Sequence, residues 1–190
     1  MNFIKDIQPT RSEHILGNKP VIEKIKSYLT ENKSRQLLLI KGAPGIGKTK
    51  AIQLLLGEME YEMKYIALSH YSNSAEIEKI ISSCIRGRSI VDWENTKRFV
   101  IVIDELECLP KKFKKIFERI VHIHFPRRRG RRKKTEVNTK VYPDLPIIFI
   151  CNVEYHRTME LLEKKGQVFT FEPLTYDEQY IWCVNISSMY

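Results

Sequence analysis

Apolar residues along the chain form two kinds of run. Short continuous runs, typical of buried strands, lie at about 36–41, 63–68, 99–103, 147–151 and 167–171. Runs with helical spacing of apolar residues lie at about 19–31, 50–56, 74–85, 111–122 and 155–165, and from 175 onward. Because strands alternate with helices, the sequence predicts an α/β fold with a mainly parallel sheet flanked by helices.

The first predicted helix has a defined beginning. Pro20 stands where a first helical turn tolerates proline, because the nitrogen there needs no hydrogen-bond partner within the helix. Asn18 stands just before it, and asparagine is a favoured N-terminal cap. We therefore expect the Asn18 side chain to cap this helix.

A glycine-rich segment follows the first predicted strand and leads into a helix. Its spacing, G-x-x-x-x-G-K-T over residues 42–49, is that of a phosphate-binding P-loop, although a turn that merely contains glycines is the alternative. Inward-pointing backbone N–H groups and the positive helix end would bind the phosphates of ATP. Lys48 is expected to reach the β- and γ-phosphates, and the Thr49 hydroxyl to bind Mg²⁺. The residues predicted to contact nucleotide here are Gly42, Ala43, Pro44, Gly45, Ile46, Gly47, Lys48, Thr49 and Lys50.

Two acidic residues, Asp104 and Glu105, directly follow the clearest apolar strand. In a parallel sheet the carboxyl ends of the strands meet the ligand, so Asp104 is expected to hold Mg²⁺. Glu105 is then placed to act as general base toward the water that attacks the γ-phosphate. The alternative is that both acids cap the next helix.

Asn152 follows the apolar run 147–151 in the same way. A neutral amide there could orient water or contact the γ-phosphate, although asparagine is also common in turns. We therefore assign it a catalytic role together with Glu105.

Taken together, these segments resemble the Walker A, Walker B and sensor 1 elements of AAA+ ATPases. Residues 15–18, Ile-Leu-Gly-Asn, resemble the adenine-side motif of the clamp-loader branch, which makes Ile15 and Leu16 nucleotide-binding candidates. The stretches 146–152 and 169–174, with His156, look most like the large subunit of replication factor C.

The resemblance implies an ATP-driven subunit that works with other clamp-loader-like subunits and a sliding clamp on primed DNA. It also implies an AAA+ core over residues 1–174 and the start of a truncated helical lid over 175–190. The sequence departs from the family in two ways. Residues 155–158, Tyr-His-Arg-Thr, stand where small clamp-loader subunits have a Ser-Arg-Cys motif. The sequence also ends within what would be the first helix of the lid, before the sensor 2 arginine. A lid helps to exclude water, so we expect hydrolysis by the chain alone to be slow or undetectable.

Most of the net charge of +9 comes from the basic run at residues 127–134, which holds seven lysines and arginines. Such a run could bind DNA phosphates without base specificity, serve as a nuclear import signal, or form a solvated loop. The residues predicted to contact DNA are Arg127, Arg128, Arg129, Arg131, Arg132, Lys133 and Lys134.

The remaining composition narrows the setting. No apolar run approaches the roughly 20 residues that cross a bilayer, so no membrane partner is expected. Four widely spaced cysteines suit reduced thiols, and we expect a protein of the nucleus or cytoplasm, with the basic run favouring the nucleus. The alternatives to an ATPase are a nucleotide-gated DNA-binding or assembly protein with little turnover, and a small P-loop kinase.

Overall fold

The computed structural model describes residues 8–31, 36–71, 73, 75–77, 79–80, 98–108, 145–152 and 159–187. The strands are β1 (Leu37–Lys41), β2 (Tyr61–Ala67), β3 (Arg98–Asp104), β4 (Ile147–Cys151) and β5 (Gln167–Thr170). The helices are α1 (Lys19–Thr30), α2 (Lys48–Glu58), α3 (Met159–Lys165) and α4 (Tyr176–Ser187). Single 3₁₀ turns cover Ser12–His14, Leu68–His70 and Leu106–Cys108.

These strands form one sheet in the order β2-β3-β4-β1-β5, and each neighbouring pair is parallel. The register pairs Lys41 at the end of β1 with Cys151 at the end of β4. The carboxyl ends of β1, β3 and β4 therefore lie side by side, although the segments are far apart in the chain. The predicted α/β fold with a parallel sheet is confirmed.

Alternate strand residues pack on opposite faces of the sheet. One face of β1, with Leu38 and Ile40, packs on α1 and α2 in a single apolar cluster. The other face, with Leu37 and Leu39, packs on α3. Because both faces are covered, every residue of β4 is buried, which explains why that strand is apolar throughout.

The apolar runs predict β4 with the bounds that the structure has, and the other strands within two residues. Residues 75–77 and 79–80 are helical, in agreement with a helix predicted over 74–85. The predicted helix at 111–122 and the basic run lie outside the described residues, as does most of 74–85.

The beginning of α1 differs in one respect from the prediction. Asn18 occupies the position before the helix and Pro20 lies in its first turn, but the Asn18 side chain makes no capping hydrogen bond. It binds the backbone of Glu172 instead, with Nδ2 donating to the carbonyl oxygen at 2.9 Å and Oδ1 accepting from the amide at 2.8 Å. A capping residue normally has an extended backbone, whereas Asn18 is left-handed (φ 54°), and its side chain makes this tertiary contact in place of a cap.

The last helix, α4, confirms the helical run predicted from residue 175. Several of its large apolar side chains are exposed, namely Tyr176, Tyr180, Ile181, Trp182 and Val184. Within the part of the chain that is described, no helix is both long enough and apolar enough to cross a membrane. Among the described cysteines, Cys108, Cys151 and Cys183 carry thiols.

Candidate nucleotide-binding site

The predicted phosphate-binding loop connects β1 to α2 at the carboxyl edge of the sheet. Gly47 precedes α2 with φ 86°, a left-handed conformation that glycine adopts without steric cost. Gly42 is required for a different reason, since a Cβ atom there would lie 2.5 Å from the Phe171 carbonyl oxygen. That close approach follows from the hydrogen bond of 2.8 Å that the Phe171 amide donates to the Lys41 carbonyl. The chain after β5 thus packs directly against the loop.

Lys48 is buried at the first turn of α2, with 4% of its surface exposed. Its Nζ donates hydrogen bonds to the carbonyl oxygens of Gly42 (3.0 Å) and Ala43 (2.7 Å). Burial lowers the pKa of Lys48, and the negative charges of Asp104 and Glu107 oppose that shift. The ammonium group is therefore held against two carbonyl oxygens of the loop itself.

Thr49 and Asp104 meet at this edge. The Thr49 hydroxyl donates to Oδ2 of Asp104 at 2.6 Å, and Asp104 is only 4% exposed. The Tyr65 hydroxyl donates to the same Oδ2 at 2.8 Å. Burial, then the hydrogen bond and the charge of Asp104, raise the pKa of Tyr65, so its hydroxyl stays protonated and keeps donating.

Glu105 turns the chain away from β3. Its φ of 59° is left-handed, which is uncommon for a residue with a side chain, and its amide donates to Oδ1 of Asp104 at 2.7 Å. Its carboxylate accepts a hydrogen bond of 3.3 Å from the Ser69 amide, just beyond the end of β2. The role of Glu105 as general base stays a prediction.

Asn152 contacts a different acid, Glu107. Its Nδ2 donates to Oε1 of Glu107 at 2.5 Å, and its backbone amide donates to Oε2 at 3.1 Å. Glu107 lies in the 3₁₀ turn Leu106–Cys108, which follows directly after Glu105. The structure thus places Asn152 against Glu107, the third acidic residue at the end of β3, rather than against Asp104 or Glu105.

The adenine-side candidates lie on the α1–α2 face of the sheet. Ile15 is 7% exposed and belongs to the same apolar cluster as α2, with Ile46 of the loop packed against that cluster. Leu16 is half-buried, and Lys50 on α2 is exposed. The predicted roles of these residues stay predictions.

Two anchors hold the segment that carries Ile15. The hydroxyl and the amide of Ser12 donate to the two carboxylate oxygens of Glu58 at 2.5 and 2.6 Å, near the end of α2. Asn18 binds Glu172 as described above. The segment is thus fixed both to the helix that follows the loop and to the chain that follows β5.

Sequence reasoning missed two residues of this site, Tyr65 and Glu107. A weak signal exists for Glu107, because it is a further acid two positions after Glu105 in the segment that leaves β3. For Tyr65 no local signal exists, since its approach to Asp104 depends on the pairing of β2 with β3. The predicted DNA-contacting residues 127–134 lie outside the described part of the chain.

The residues present fit a magnesium nucleotide. Mg²⁺ prefers oxygen ligands, and the Thr49 hydroxyl in the first turn of α2 and the Asp104 carboxylate at the end of β3 supply oxygens that lie 2.6 Å apart. The buried Lys48 ammonium adds a positive charge beside the same loop, as a polyphosphate requires. Thr49 and Asp104 would hold the metal ion, and the loop with Lys48 would hold the phosphates.

Known proteins similar to this chain are consistent with the geometry. A replication factor C large subunit from Methanococcus aeolicus is 29% identical over 112 residues, which are 57% of this chain and 23% of that protein. A putative replication factor C large subunit from Acanthamoeba polyphaga mimivirus is 25% identical over 175 residues, which are 86% of this chain and 33% of that protein. The chain thus spans a third or less of the length of these two relatives.

A solved structure has the same fold. The Thermotoga maritima RuvB Holliday junction branch migration motor superposes with a TM-score of 0.59 at 16% identity, over 90% of this chain and 51% of that one. The family model of the AAA domain (dynein-related subfamily) matches residues 37–169, which is more than half of the chain and includes the loop, Asp104 and Asn152. The predicted AAA+ resemblance is confirmed, and the chain belongs to the AAA domain family.

Proposed function

We propose that the chain is an ATP-binding and ATP-hydrolysing subunit that acts on DNA in a clamp-loader-like assembly. The observation that carries this proposal is that the Lys48 ammonium, the Thr49 hydroxyl and the Asp104 carboxylate lie at one edge of the sheet. A magnesium nucleotide requires a cation for its phosphates and oxygen ligands for its metal ion. These three groups come from a glycine-rich loop, a helix start and a neighbouring strand end, which is the arrangement expected of a nucleotide hydrolase.

Each residue has a distinct task in this proposal. The bound Mg²⁺ ion would neutralise charge on the phosphates, and Thr49 and Asp104 would hold it. Lys48 would exchange its bonds to Gly42 and Ala43 for phosphate oxygens. Glu105 would accept the proton of the attacking water, for which its carboxylate has to leave the Ser69 amide. Asn152 would orient that water or contact the γ-phosphate.

The DNA-related part of the proposal is supported by the relatives and by charge. Two relatives are named as replication factor C large subunits, and the solved neighbour is titled a Holliday junction branch migration motor. Seven lysines and arginines occupy residues 127–134 of this chain, a density that suits phosphate contacts. We propose DNA backbone, other subunits of such an assembly and a sliding clamp as partners.

The first experiment measures phosphate release from ATP by the purified chain, with and without primed DNA. We expect slow release that DNA stimulates. Glu105→Gln should keep ATP binding and lose turnover, because glutamine cannot take a proton from water. Lys48→Ala should abolish ATP binding, whereas Lys24→Ala on the exposed face of α1 should leave it unchanged.

The outcomes separate the competing functions. Retained turnover in Glu105→Gln would contradict the assignment of the base. ATP and DNA binding with no turnover in any condition would favour a nucleotide-gated binding subunit. Transfer of the γ-phosphate to a nucleoside or nucleotide would favour a kinase.

The basic run needs its own test. Replacing its seven basic residues with neutral ones should weaken DNA binding and flatten its salt dependence, because fewer counterions are released. A control variant that neutralises three exposed lysines of α1, Lys19, Lys24 and Lys26, should change both much less for each charge removed. Unchanged DNA affinity in the first variant would assign the run to import or to a solvated loop.

A further inference from the structure

The carboxylate of Glu107 connects two segments of the site. It follows β3, and its two oxygens accept hydrogen bonds from the side chain (2.5 Å) and the backbone (3.1 Å) of Asn152, which follows β4. Two donors of the residue that follows β4 thus converge on one carboxylate that follows the neighbouring strand β3.

The electrostatic surroundings keep this carboxylate ionised. Burial by itself would raise the pKa of Glu107, but hydrogen bonds from its own backbone, from Asn152 and from Cys151 lower it overall.

An ionised carboxylate can only accept hydrogen bonds, so it decides which way the Asn152 amide points. The nitrogen has to face Glu107, because the amide oxygen would be repelled there. The oxygen of Asn152 must then face away from Glu107. In the sheet, β4 lies between β3 and β1. The Asn152 side chain, which follows β4, is therefore oriented beside the end of β1, where the phosphate-binding loop begins.

We propose that Glu107 is a positioning residue: it holds Asn152 in the orientation that recognises the γ-phosphate end of the nucleotide. The inference rests on the proposed ATP-binding function. In this proposal Glu107 acts on the nucleotide only through its two hydrogen bonds with Asn152, so its effect on nucleotide binding requires the Asn152 amide.

The test compares the affinity for ADP with that for ATPγS, both in excess Mg²⁺, so that it needs no turnover. The variants are Glu107→Gln, Asn152→Ala and the double variant. Glutamine has the shape of glutamate but one acceptor oxygen, so it places an NH₂ group against a donor of Asn152. Glu23→Gln, which removes an exposed charge on α1, is the control.

We expect the wild-type chain to prefer ATPγS and Asn152→Ala to lose roughly fivefold of that preference, the worth of about one net hydrogen bond. Glu107→Gln should lose a similar factor, while the affinity for ADP stays within about twofold of wild type. In the double variant the loss should not exceed that of Asn152→Ala alone, because the effect of Glu107 requires the Asn152 side chain.

Three results would overturn the proposal: a wild-type preference in Glu107→Gln, losses that multiply in the double variant, or a wild-type chain that binds both nucleotides equally. A wild-type chain that binds neither nucleotide would instead contradict the proposed function. If Glu107→Gln does not fold, NMR of the wild-type chain decides. The Asn152 side-chain NH₂ should show slowed proton exchange, and fast exchange would overturn the proposal.

Discussion

Asn18 and Glu172 lie 154 residues apart in the chain and exchange two hydrogen bonds, of 2.9 and 2.8 Å. The pair joins the segment that carries Ile15 to the chain that leaves β5 and packs against Gly42. The predicted adenine side and the phosphate-binding loop are therefore held to the same stretch, residues 171–174. A disturbance of this pair should reach nucleotide binding without touching a phosphate contact.

Asn18→Ala should weaken ATP binding and lower the free energy of unfolding by about 1–2 kcal/mol, measured by urea denaturation. Two causes act together, the lost bonds to Glu172 and the strain of alanine at φ 54°. Asn18→Gly separates them, because glycine adopts that backbone without strain. If glycine restores both stability and ATP affinity, the hydrogen bonds are not what matters.

The Tyr65 hydroxyl should control the metal requirement of the site. Tyr65→Phe removes the donor that holds Oδ2 of Asp104 at 2.8 Å, so the carboxylate is less well oriented for Mg²⁺. We expect the Mg²⁺ concentration for half-maximal ATP binding to rise roughly fivefold, the equivalent of about 1 kcal/mol. Binding of ATP in the presence of a chelator should not change.

Tyr61→Phe is the matched control, since Tyr61 lies on the same strand and its hydroxyl bonds to the Leu29 carbonyl at 3.4 Å. An equal shift in both variants would show that loss of a hydroxyl from β2 matters through the sheet and not through Asp104.

Substitution by alanine should impair ATP binding at Gly42 but raise the stability of the protein at Gly57. At Gly42 the new Cβ would lie 2.5 Å from the Phe171 carbonyl oxygen and 2.7 Å from Cδ1 of Ile46, so Gly42→Ala should displace the loop and weaken ATP binding at least tenfold. At Gly57, inside α2, a Cβ meets no atom within 4 Å. Gly57→Ala should therefore stabilise the protein by about 0.5–1 kcal/mol, measured by thermal unfolding. Wild-type ATP affinity in Gly42→Ala would contradict this account of the loop, and a lower unfolding temperature in Gly57→Ala would contradict the account of the helix.

Glu58 should make stability depend on pH in the acidic range. Hydrogen bonds from the Ser12 side chain and then its backbone lower the pKa of Glu58 below its ordinary value of 4.5. A lowered pKa contributes stability above the unfolded value, and this contribution is lost as pH falls through the folded value. At neutral pH Glu58→Gln should lower the free energy of unfolding by about 0.5 kcal/mol, a small amount because the group is exposed.

The difference between Glu58→Gln and wild type should shrink as the pH is lowered from 4.5, because protonated glutamate resembles glutamine. Glu62→Gln on the exposed face of β2 serves as the control. A difference that is constant across this range would show that the Ser12 bonds do not depend on the charge of Glu58.

The sequence predicts those structural features that depend on residues close together in the chain. The buried strand β4 is a continuous apolar run, and the loop at 42–49 is readable from its spacing, so the fold and the Thr49–Asp104 meeting point follow from local patterns. The contacts of Tyr65 and Glu107 could not be predicted in this way. Tyr65 reaches Asp104 through strand pairing, and Glu107 reaches Asn152 through a 3₁₀ turn that begins after the left-handed Glu105.

Asn18 shows the reverse case, in which a sound local rule gives the wrong partner. Asparagine before a helix is usually a cap because its side-chain oxygen accepts a hydrogen bond from a free backbone N–H of the first turn. Here the Asn18 side chain bonds to the backbone of Glu172 instead. This contact depends on the packing of the chain after β5 against residues 15–18, so no pattern within either segment could predict it.

The half-exposed indole of Trp182 makes α4 observable by fluorescence. The chain contains only two tryptophans, Trp93 and Trp182, so a Trp93→Phe variant leaves a single emitter. With 39% of its surface exposed, Trp182 should emit at long wavelength and be quenched by acrylamide. Its spectrum will shift toward the blue when another surface covers the helix. Titrating nucleotide, DNA or a second protein against this emission would reveal which of them changes the surroundings of α4.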